Sequence, residues 1–556
     1  MKAPLFLLLA CLLLFFTGLG DVPFYTRGEP REALVAREML RTGEWLVPAR
    51  PDGELTRKPP VFYWAAATAL TLLPERPELA ARLPSALLAT AGVLVTWAVV
   101  HATFGAAPAF GAALMLATSL EWIRAATIAR VDMALVAGLT LLFGAWLLVL
   151  ARERERPGRA LLVMAVAGAA IATLAKGPVA LVLPALVVGA LIAVRRDLSL
   201  LRRLGAIPVL VVGGAIAGLW YGAAFAKHGR EFFDIVAKEN WLRYVDSEDA
   251  GTGHSHGLLY LPLVGLIGLV PWTPLLPLAG APFTERARRT PALTFAALWV
   301  VVTLVFFSLA DAKRSVYLLP LFPALMLLVA LGVERPPAGR LASVLRLTTI
   351  LYPPVFALLG LGAAALASGV DVVALLRPWL KARDAQNTLA IVAVARSAAP
   401  ALMVLAVLAL AGSFLMVRAR RVGDWRRLVH VVAALTVAWT AVIGIWLRPP
   451  IGRAASLQPF MARVDALVPA DATLYAFFTP DAGLRFYAPR PLEPWRAQSR
   501  GPAYLLLWED ERKRWRDPQG KALEPLTVSE AEQSRRGPLT LVVVPGETSL
   551  RAGGPG

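Results

Sequence analysis

The stretch ALLVMAVAGAAIATLAKGPVALVLPALVVGALIAV, residues 160–194, determines the class of fold. It contains two apolar runs, 160–174 and 178–194, which are joined by a short turn at Lys176. Arginines precede and follow the pair: Arg152, Arg154, Arg156, Arg159, Arg195 and Arg196. Apolar runs that approach twenty residues can cross the ~30 Å hydrocarbon core of a bilayer as helices. The stretch therefore predicts a helical hairpin that crosses a membrane twice.

Similar runs recur along the whole chain of 556 residues, of which 57% are apolar. A soluble globular protein contains roughly 45–50% apolar residues. Further spans are predicted at 3–20, 82–102, 107–121, 131–151, 204–225, 258–279, 291–310, 314–332, 346–368, 398–417 and 427–447. The sequence thus predicts an all-α polytopic membrane protein with about thirteen transmembrane helices.

The formal net charge of +19 is concentrated in arginine-rich gaps between the apolar runs. Loops that face the cytoplasm carry an excess of Lys and Arg. With the amino terminus inside, the predicted cytoplasmic loops are 152–159, 195–203, 281–290, 333–345 and 418–426. Each is arginine-rich, which explains the positive charge without a nucleic acid partner. We expect a multi-pass protein of the cell inner membrane, in contact with the lipid bilayer.

The alternate segments are expected on the periplasmic side, and they hold most of the unusual polar residues. They are 21–81, 122–130, 175–177, 226–257, 311–313, 369–397 and everything after 448. We divide the chain into a transmembrane domain, 1–448, and an extracytoplasmic domain, 449–556. Short β-rich runs separated by Pro, Gly and charged residues predict a small α/β fold for the second domain.

Cys11 is the single cysteine, so no intramolecular disulfide can form. It lies inside the first apolar run, which continues to Phe16. We expect this run to be an uncleaved membrane helix, with a cleaved signal peptide as the alternative.

The loop 21–81 is too long to be a simple connector. Pro30 suits the first turn of a helix and Gly43 the position after its last turn, so a helix is predicted between them. Glu29 would then cap a helix whose dipole keeps the carboxylate ionised. Such a carboxylate can accept a proton or bind a cation, and plain capping is the alternative. Lys58 lies just before a second predicted helix, whose first residues are aromatic. Its ammonium group would lie at the membrane surface, where it can reach a lipid phosphate or act as an interfacial anchor.

Further polar residues lie in other segments on the same side of the membrane. They are Arg130, Asp132, Lys176, Glu239, Arg243, His254, His256, Asp311, Lys313, Arg314 and Tyr317. A charge at membrane depth costs at least ~2.5–3.5 kcal/mol, so such residues are candidates for function. Any single one can be a snorkelling anchor. A basic set on one side of the membrane suits an anionic lipid head group.

The order of the motifs resembles a known family. The motifs are Gly28-Glu29, Gly43-Glu44-Trp45-Leu46-Val47-Pro48, Lys58-Pro59-Pro60, Arg82-Leu83-Pro84, Asp132-Met133, Lys176-Gly177-Pro178, Glu239-Asn240, Arg243-Tyr244, Pro271-Trp272 and Lys313 to Pro320. Together they resemble the dolichyl-phosphate-mannose-protein mannosyltransferase superfamily (glycosyltransferase family 39). They resemble in particular the bacterial branch that includes the lipid A 4-amino-4-deoxy-L-arabinose transferase. The resemblance covers roughly residues 20–325.

The resemblance implies a C-type glycosyltransferase fold and an enzyme that takes a sugar from a polyprenyl-phosphate donor, undecaprenyl phosphate in a bacterium. The acceptor would be a periplasmic lipid such as lipid A, a glycan or a protein, and the transfer would invert the anomeric centre. Glu29 and Asp132 match acidic positions, and Glu29 is expected to be the catalytic base or to share that role with Asp132. The residues implied in binding the donor phosphate or substrate are Lys58, Arg82, Lys176, Arg243, His256, Lys313, Arg314 and Tyr317.

Two residues depart from the family pattern. The family's Asp-Glu pair is Gly28-Glu29 here, so the aspartate usually assigned as the base is missing. The residue before Lys58, a glutamate in the aminoarabinose transferase, is Arg57. Arg57 weakens the case for lipid A as acceptor, for aminoarabinose as sugar and for a metal at this point. No cofactor is assigned, and a divalent metal stays open.

Two other functions stay open from the sequence alone. The missing aspartate is compatible with a non-catalytic relative. A transporter or lipid-linked-sugar flippase would also have many spans and buried charges. Such a protein should show inverted repeats and helices interrupted within the membrane, and the sequence shows neither clearly.

Overall fold

The structure is a computed structural model. It describes residues 2–26, 28–152, 156–242, 244, 256–284, 290–334, 339–371, 374, 392–495, 503–516, 522–529, 537–544 and 551–552.

Helices make up most of the described chain. Up to the last membrane helix they are α1 Lys2–Phe16, α2 Glu29–Thr42, α3 Val61–Leu72, α4 Pro77–Phe104, α5 Ala106–Ala117, α6 Leu120–Ala126, α7 Asp132–Ala151, α8 Arg159–Lys176, α9 Val179–Arg195, α10 Ser199–Leu204, α11 Ala206–Asn240, α12 Tyr260–Gly268, α13 Thr273–Phe283, α14 Pro291–Leu309, α15 Ser315–Glu334, α16 Leu341–Ala367, α17 Ala399–Val422 and α18 Trp425–Ala455.

Among the described residues, nine of these helices are long and apolar enough to cross a membrane, or eleven if each of two bent pairs counts as one span. The shorter apolar helices α1 and α9 coincide with two further predicted spans. Each of the thirteen predicted spans therefore has a helical counterpart, and the protein is an integral membrane protein. Helices α8 and α9 form the hairpin predicted for residues 160–194. The turn between them depends on Gly177, whose φ is 82°.

The two bent pairs are helices interrupted inside the apolar region, which the sequence did not reveal. The pair α5–α6 bends by 64° and the pair α12–α13 by 103°. The two breaks meet: Leu120 N donates to Val270 O at 2.8 Å, and Trp272 Nε1 donates to Thr118 Oγ1 at 3.1 Å. Irregular backbone is tolerated at membrane depth where protein groups satisfy it. Because both halves of each pair are apolar, hydropathy alone reads them as continuous spans.

The loop 21–81 forms two helices, α2 and α3. Helix α2 ends at Gly43, which has a φ of 71° and donates its N–H to Met39 O, as the sequence predicts. Its start differs from the expectation by one residue, because Gly28 is the N-cap and Glu29 is already helical. The side chain of Glu29 therefore does not cap α2 and contacts a different partner.

The carboxy-terminal region forms the predicted small α/β fold. Its elements are α19 Gln458–Leu467, β1 Leu474–Ala476, α20 Ala482–Tyr487, β2 Leu492–Pro494, β3 Ala503–Trp508, α21 Glu509–Arg514, β4 Trp515–Arg516, β5 Pro525–Val528, β6 Leu539–Val544 and β7 Arg551–Ala552. Five strands form one sheet in the order β2-β1-β3-β6-β5, with β1 parallel to β2 and β3 and with β6 antiparallel to its neighbours. The predicted β-rich runs are Thr473 to Phe478, Tyr504 to Trp508 and Leu539 to Val544, and they correspond to β1, β3 and β6.

This domain packs on the first long loop. Helix α20 lies against α2, where Arg37 Nη1 donates to Phe486 O at 3.0 Å and the guanidinium lies 4.0 Å from the Phe486 ring centroid. Phe24 N donates to Tyr487 Oη at 2.6 Å, and that hydroxyl donates to Glu78 Oε1 at 2.8 Å. The second domain thus holds the segment that leads into α2.

Candidate active site

A cavity of about 260 Å³ lies beside the loop helices α2 and α3. Its other walls are the start of α7, the ends of α8 and α11, and the start of α15 with the residue that precedes it. Most of the side chains around it are charged. The seven basic ones are Arg31, Arg50, Arg57, Lys58, Arg130, Lys176 and Arg314, and the four acidic ones are Glu32, Glu54, Asp132 and Glu239. Val35, Leu55, Thr56, Tyr63, Val131 and Tyr317 complete the described lining. The balance is positive, which suits an anionic ligand.

The pair Asp132 and Lys176 lies at one end of the cavity, where α7 begins and α8 ends. Gly138 and Gly168 let these helices approach closely, since a Cβ on Gly138 would stand 2.7 Å from Gly168 O. The close packing brings Lys176 Nζ into an ion pair with Asp132. The same ammonium lies 4.5 Å from the Tyr317 ring centroid. Three predicted site residues therefore meet, as the sequence expects from their position on one side of the membrane.

Lys58 and Glu239 form a second pair, which joins the loop to α11. Lys58 Nζ donates to Glu239 Oε2 at 2.6 Å, and the Glu239 side chain is 7% exposed. The sequence analysis includes Glu239 among the candidates for function and in the family motifs, but it assigns this residue no role in binding or catalysis. The signal was its place among the matching motifs.

Glu32 is an acid that the sequence analysis missed. Tyr63 Oη donates to Glu32 Oε2 at 2.6 Å, and Arg31 Nη2 donates to Glu32 Oε1 at 2.7 Å. Glu32 lies three residues after Glu29, one turn further along α2. Its helical spacing from the motif acid is the signal that could have found it.

The turn around Asp52, which is closed by a β-bridge between Ala49 and Leu55, adds arginines to the cavity lining. Glu54 is paired with Arg50 and, at 3.3 Å, with Arg57. Burial lowers the pKa of Arg50, and the positive charges of Arg31, Arg57 and Arg485 lower it further. The negative charge of Asp52 raises this pKa, but by less than the other effects lower it. Crowded guanidinium groups repel one another, so this edge of the cavity favours an anion.

Glu29, one of the two predicted catalytic acids, does not line the cavity. It is 2% exposed, and Arg82 donates to both of its oxygens, Nε to Oε1 at 2.7 Å and Nη2 to Oε2 at 3.3 Å. Ala129 N and Thr26 Oγ1 also donate to the carboxylate, at 3.1 and 3.2 Å. With both oxygens engaged inside the protein, this geometry supports a structural role for Glu29 and not the predicted catalytic one.

Arg82 is equally enclosed, at 1% exposure. It also donates to Leu19 O at 2.9 Å and to Val22 O at 2.5 Å. The guanidinium thus fastens the segment before α2 to α4. It does not line the cavity, so the geometry gives no support to its predicted contact with the donor.

The other predicted binding residues lie in different places. Arg314 and Tyr317 line the cavity. The neighbouring Lys313 is 4% exposed, and its Nζ donates to His256 O at 2.6 Å, away from the lining. His256 is exposed and stacks on Tyr260 with the ring centroids 4.0 Å apart. Arg243 lies outside the described residues.

Arg130 lies against Gly28 and lines the cavity. A Cβ on Gly28 would overlap Arg130 Nη2 and stand 3.1 Å from Nε, well inside ordinary van der Waals contact. Ser85 Oγ donates to Arg130 O at 3.2 Å and holds the backbone. The guanidinium can therefore occupy this place because residue 28 has no side chain. A cation stands next to the position where the family pattern has its aspartate.

A metal would need several oxygen, nitrogen or sulfur ligands close together. Within the described part of the chain, no three His, Cys, Asp or Glu side chains are grouped closely enough to share an ion. The acids around the cavity are each in an ion pair with a basic residue. The described donor set does not fit a bound metal, and we derive no step through one.

Comparisons with known proteins agree with the resemblance seen in the motifs. Residues 57–220 match the family model described as dolichyl-phosphate-mannose-protein mannosyltransferase. Relatives named undecaprenyl phosphate-alpha-4-amino-4-deoxy-L-arabinose arabinosyl transferase include those of Aeromonas salmonicida and Pectobacterium atrosepticum. Both are 29% identical, over 61% and 65% of this chain and over 60% and 64% of their own length. The chain thus spans less than two thirds of the length of these relatives.

The fold is similar to that of solved structures. The crystal structure of ArnT from Cupriavidus metallidurans bound to undecaprenyl phosphate has a TM-score of 0.76 and 22% sequence identity, with 97% of each chain covered. The apo structure of the same protein has a TM-score of 0.73. The C-type fold that the motifs imply is confirmed, including the small domain that follows the membrane helices. By its motifs, its match over residues 57–220 and its fold, the chain resembles members of the dolichyl-phosphate-mannose-protein mannosyltransferase superfamily.

Proposed function

We propose that the protein transfers a sugar from a polyprenyl-phosphate donor, such as undecaprenyl phosphate, to a periplasmic acceptor. The observation that supports this most is the basic cavity, which lies where the ends of membrane helices meet the long loop. A lipid phosphate remains at the membrane surface while its isoprenoid chain stays in the bilayer. A charged cavity at helix ends is therefore where such a donor can present its sugar.

The donor phosphate is held by Lys58, Lys176 and Arg314, with Tyr317 beside Lys176. The two ammonium groups come from α8 and from the loop, and Arg314 comes from the segment before α15. Three cations from three elements surround a phosphate better than a single helix could. In the transition state negative charge builds up on the leaving phosphate oxygen, and preorganised cations stabilise it there.

Asp132 is the acid that we assign as catalytic base. The acceptor hydroxyl attacks the anomeric carbon from the face opposite the lipid phosphate, so the configuration inverts. As the new C–O bond forms, the bond to the phosphate oxygen breaks and its electron pair leaves with the lipid phosphate. Asp132 takes the hydroxyl proton. It lines the cavity, whereas Glu29 does not.

The acceptor class follows from the side of the membrane. We propose that the cavity and the domain after 448 face the periplasm and that the membrane is the inner one. The acceptor is then a lipid such as lipid A, a glycan or a protein. The names of the relatives support undecaprenyl phosphate as the lipid part of the donor.

A transporter or flippase is the rival function, and the interrupted helices would suit it. However, none of the residues at the two breaks, 118–120 and 269–272, lines the charged cavity. Hydrogen bonds connect the two helix pairs to each other at these breaks. The charged groups are thus concentrated under the loop, where transfer chemistry needs them.

Single-cysteine labelling tests the orientation. Cys11 is buried, so an added thiol reports alone. Asp52→Cys is expected to react with a membrane-impermeant maleimide in cells whose outer membrane has been permeabilised. Arg421→Cys, which is also an exposed position, should react only after the inner membrane is opened. The reverse pattern would refute the orientation.

Binding of undecaprenyl phosphate to the purified protein tests the phosphate site. Alanine at Lys58, Lys176 or Arg314 is expected to weaken binding roughly tenfold or more, as expected for loss of one charge-assisted hydrogen bond. Arg41→Ala, an exposed arginine of α2 paired with Glu38, is the control and should bind normally. Unchanged affinity in all three cavity variants would show that the lipid phosphate binds elsewhere.

A further inference from the structure

Positive charge is concentrated at two places in and beside the long loop. Residue 57 is an arginine in the cavity lining. Next to residue 28, the Arg130 guanidinium occupies the space that a side chain would need, since a Cβ there would overlap Nη2. Two guanidinium groups therefore stand here, one on residue 57 and one beside residue 28.

The helix dipole adds to this effect. Gly28 is the N-cap of the fourteen-residue helix α2, whose amino end carries partial positive charge. Of the two acids in the first turn, Glu29 is engaged by Arg82, and Glu32 by Arg31 and Tyr63. A cation and a positive helix end therefore lie side by side, an arrangement that an anion between them would stabilise.

The acids of the described lining offer little to a cationic sugar. Glu32, Glu54, Asp132 and Glu239 are each in an ion pair with a basic residue of the same cavity. The ammonium group of an amino sugar would have to displace one of these residues and would face Arg130 and Arg57. Bringing these like charges together would destabilise the complex.

The balance of charge leaves room for a second anion. The described lining has seven basic and four acidic side chains, and a phosphodiester donor contributes a single negative charge. A carboxylate on the sugar would offset part of the remaining excess. Guanidinium groups bind carboxylates well because the two planar groups can form paired hydrogen bonds.

We infer that the donor sugar carries a carboxylate, as a hexuronic acid does, and that Arg130 selects it. Gly28 is the residue that admits the guanidinium. This inference rests on the proposed function, because it names the sugar class of the same donor site.

The test compares two donors that differ only at one carbon of the sugar. Undecaprenyl phosphate linked to glucuronic acid and to glucose is titrated into the full-length protein in nanodiscs, with no acceptor present. We expect the glucuronic acid donor to bind at least tenfold more tightly. Arg130→Ala should bring the ratio of the two affinities close to one, and Gly28→Asp should lower it because the new acid would engage Arg130. Arg41→Ala should leave the ratio unchanged.

The outcomes separate this inference from the function on which it rests. Equal affinity of the wild-type protein for both donors would overturn the acidic sugar. An Arg130→Ala variant that weakens both donors by the same factor would also overturn it, because Arg130 would then hold the phosphate. In both cases the transferase proposal stands. Binding of neither donor would overturn both proposals.

Discussion

Asp132→Asn is expected to lower turnover by about 10²–10⁴-fold, the usual contribution of a positioned base. Asparagine keeps the size and polarity of the side chain but cannot take the proton of the acceptor hydroxyl. Release of undecaprenyl phosphate from a labelled donor in the presence of acceptor measures the rate. The variant should remain folded, because Lys176, the partner of Asp132, is at the edge of an open cavity and can be hydrated.

Two further measurements separate a base from a residue that positions Lys176. Donor affinity should be retained in Asp132→Asn, since the phosphate-binding cations stay in place. A variant that loses donor affinity and turnover by the same factor would assign Asp132 to binding. Normal turnover in Asp132→Asn would exclude it as the base and leave Glu32, Glu54 and Glu239 as the acids of the described lining to examine.

Arg82→Met is expected to destabilise the protein by about 3–5 kcal/mol, because it leaves the Glu29 carboxylate buried without its partner. Both side chains are enclosed, at 1% and 2% exposure, so water cannot replace the lost contact. Thermal unfolding in detergent, followed by the loss of monodisperse protein, measures the effect. Arg41→Met removes an exposed ion pair on α2 and serves as the matched control, with little expected change.

Glu29 and Arg82 can be tested as a unit. The double variant Glu29→Leu with Arg82→Met should be more stable than either single variant, because no buried charge is left alone. Single variants that are as stable as the wild type would contradict the structural role. Folded Glu29→Gln protein should keep near-normal turnover per molecule, and a loss of about 10²-fold or more there would restore Glu29 as the base.

Much of this architecture could be predicted from local patterns. Hydropathy identifies spans because each must cross the same hydrocarbon thickness, and the arginine-rich loops set a consistent alternation. Lys176 and Asp132 could be predicted as neighbours in space because one ends a span and the other begins one on the same side. Lys58 followed from its place before an aromatic-rich helix.

The roles of single residues within the loop depended on contacts that no local pattern contains. Glu29 and Arg82 are 53 residues apart in the sequence. Only the packing of α2 on α4 shows that their side chains form an ion pair. Lys313 and Arg314 are adjacent, yet one donates to a backbone carbonyl and the other lines the cavity. Gly28 looked like a missing acid, and the structure shows that its small size makes room for Arg130.

A structure of the protein with undecaprenyl phosphate bound tests the central claim most directly. We expect the phosphate inside the cavity, within hydrogen-bonding distance of Lys58, Lys176 and Arg314, with the isoprenoid chain running into the bilayer. Asp132 should lie on the side of the cavity open to the acceptor. A phosphate bound at the interrupted helices, away from these three residues, would contradict the transferase site and favour a transport path.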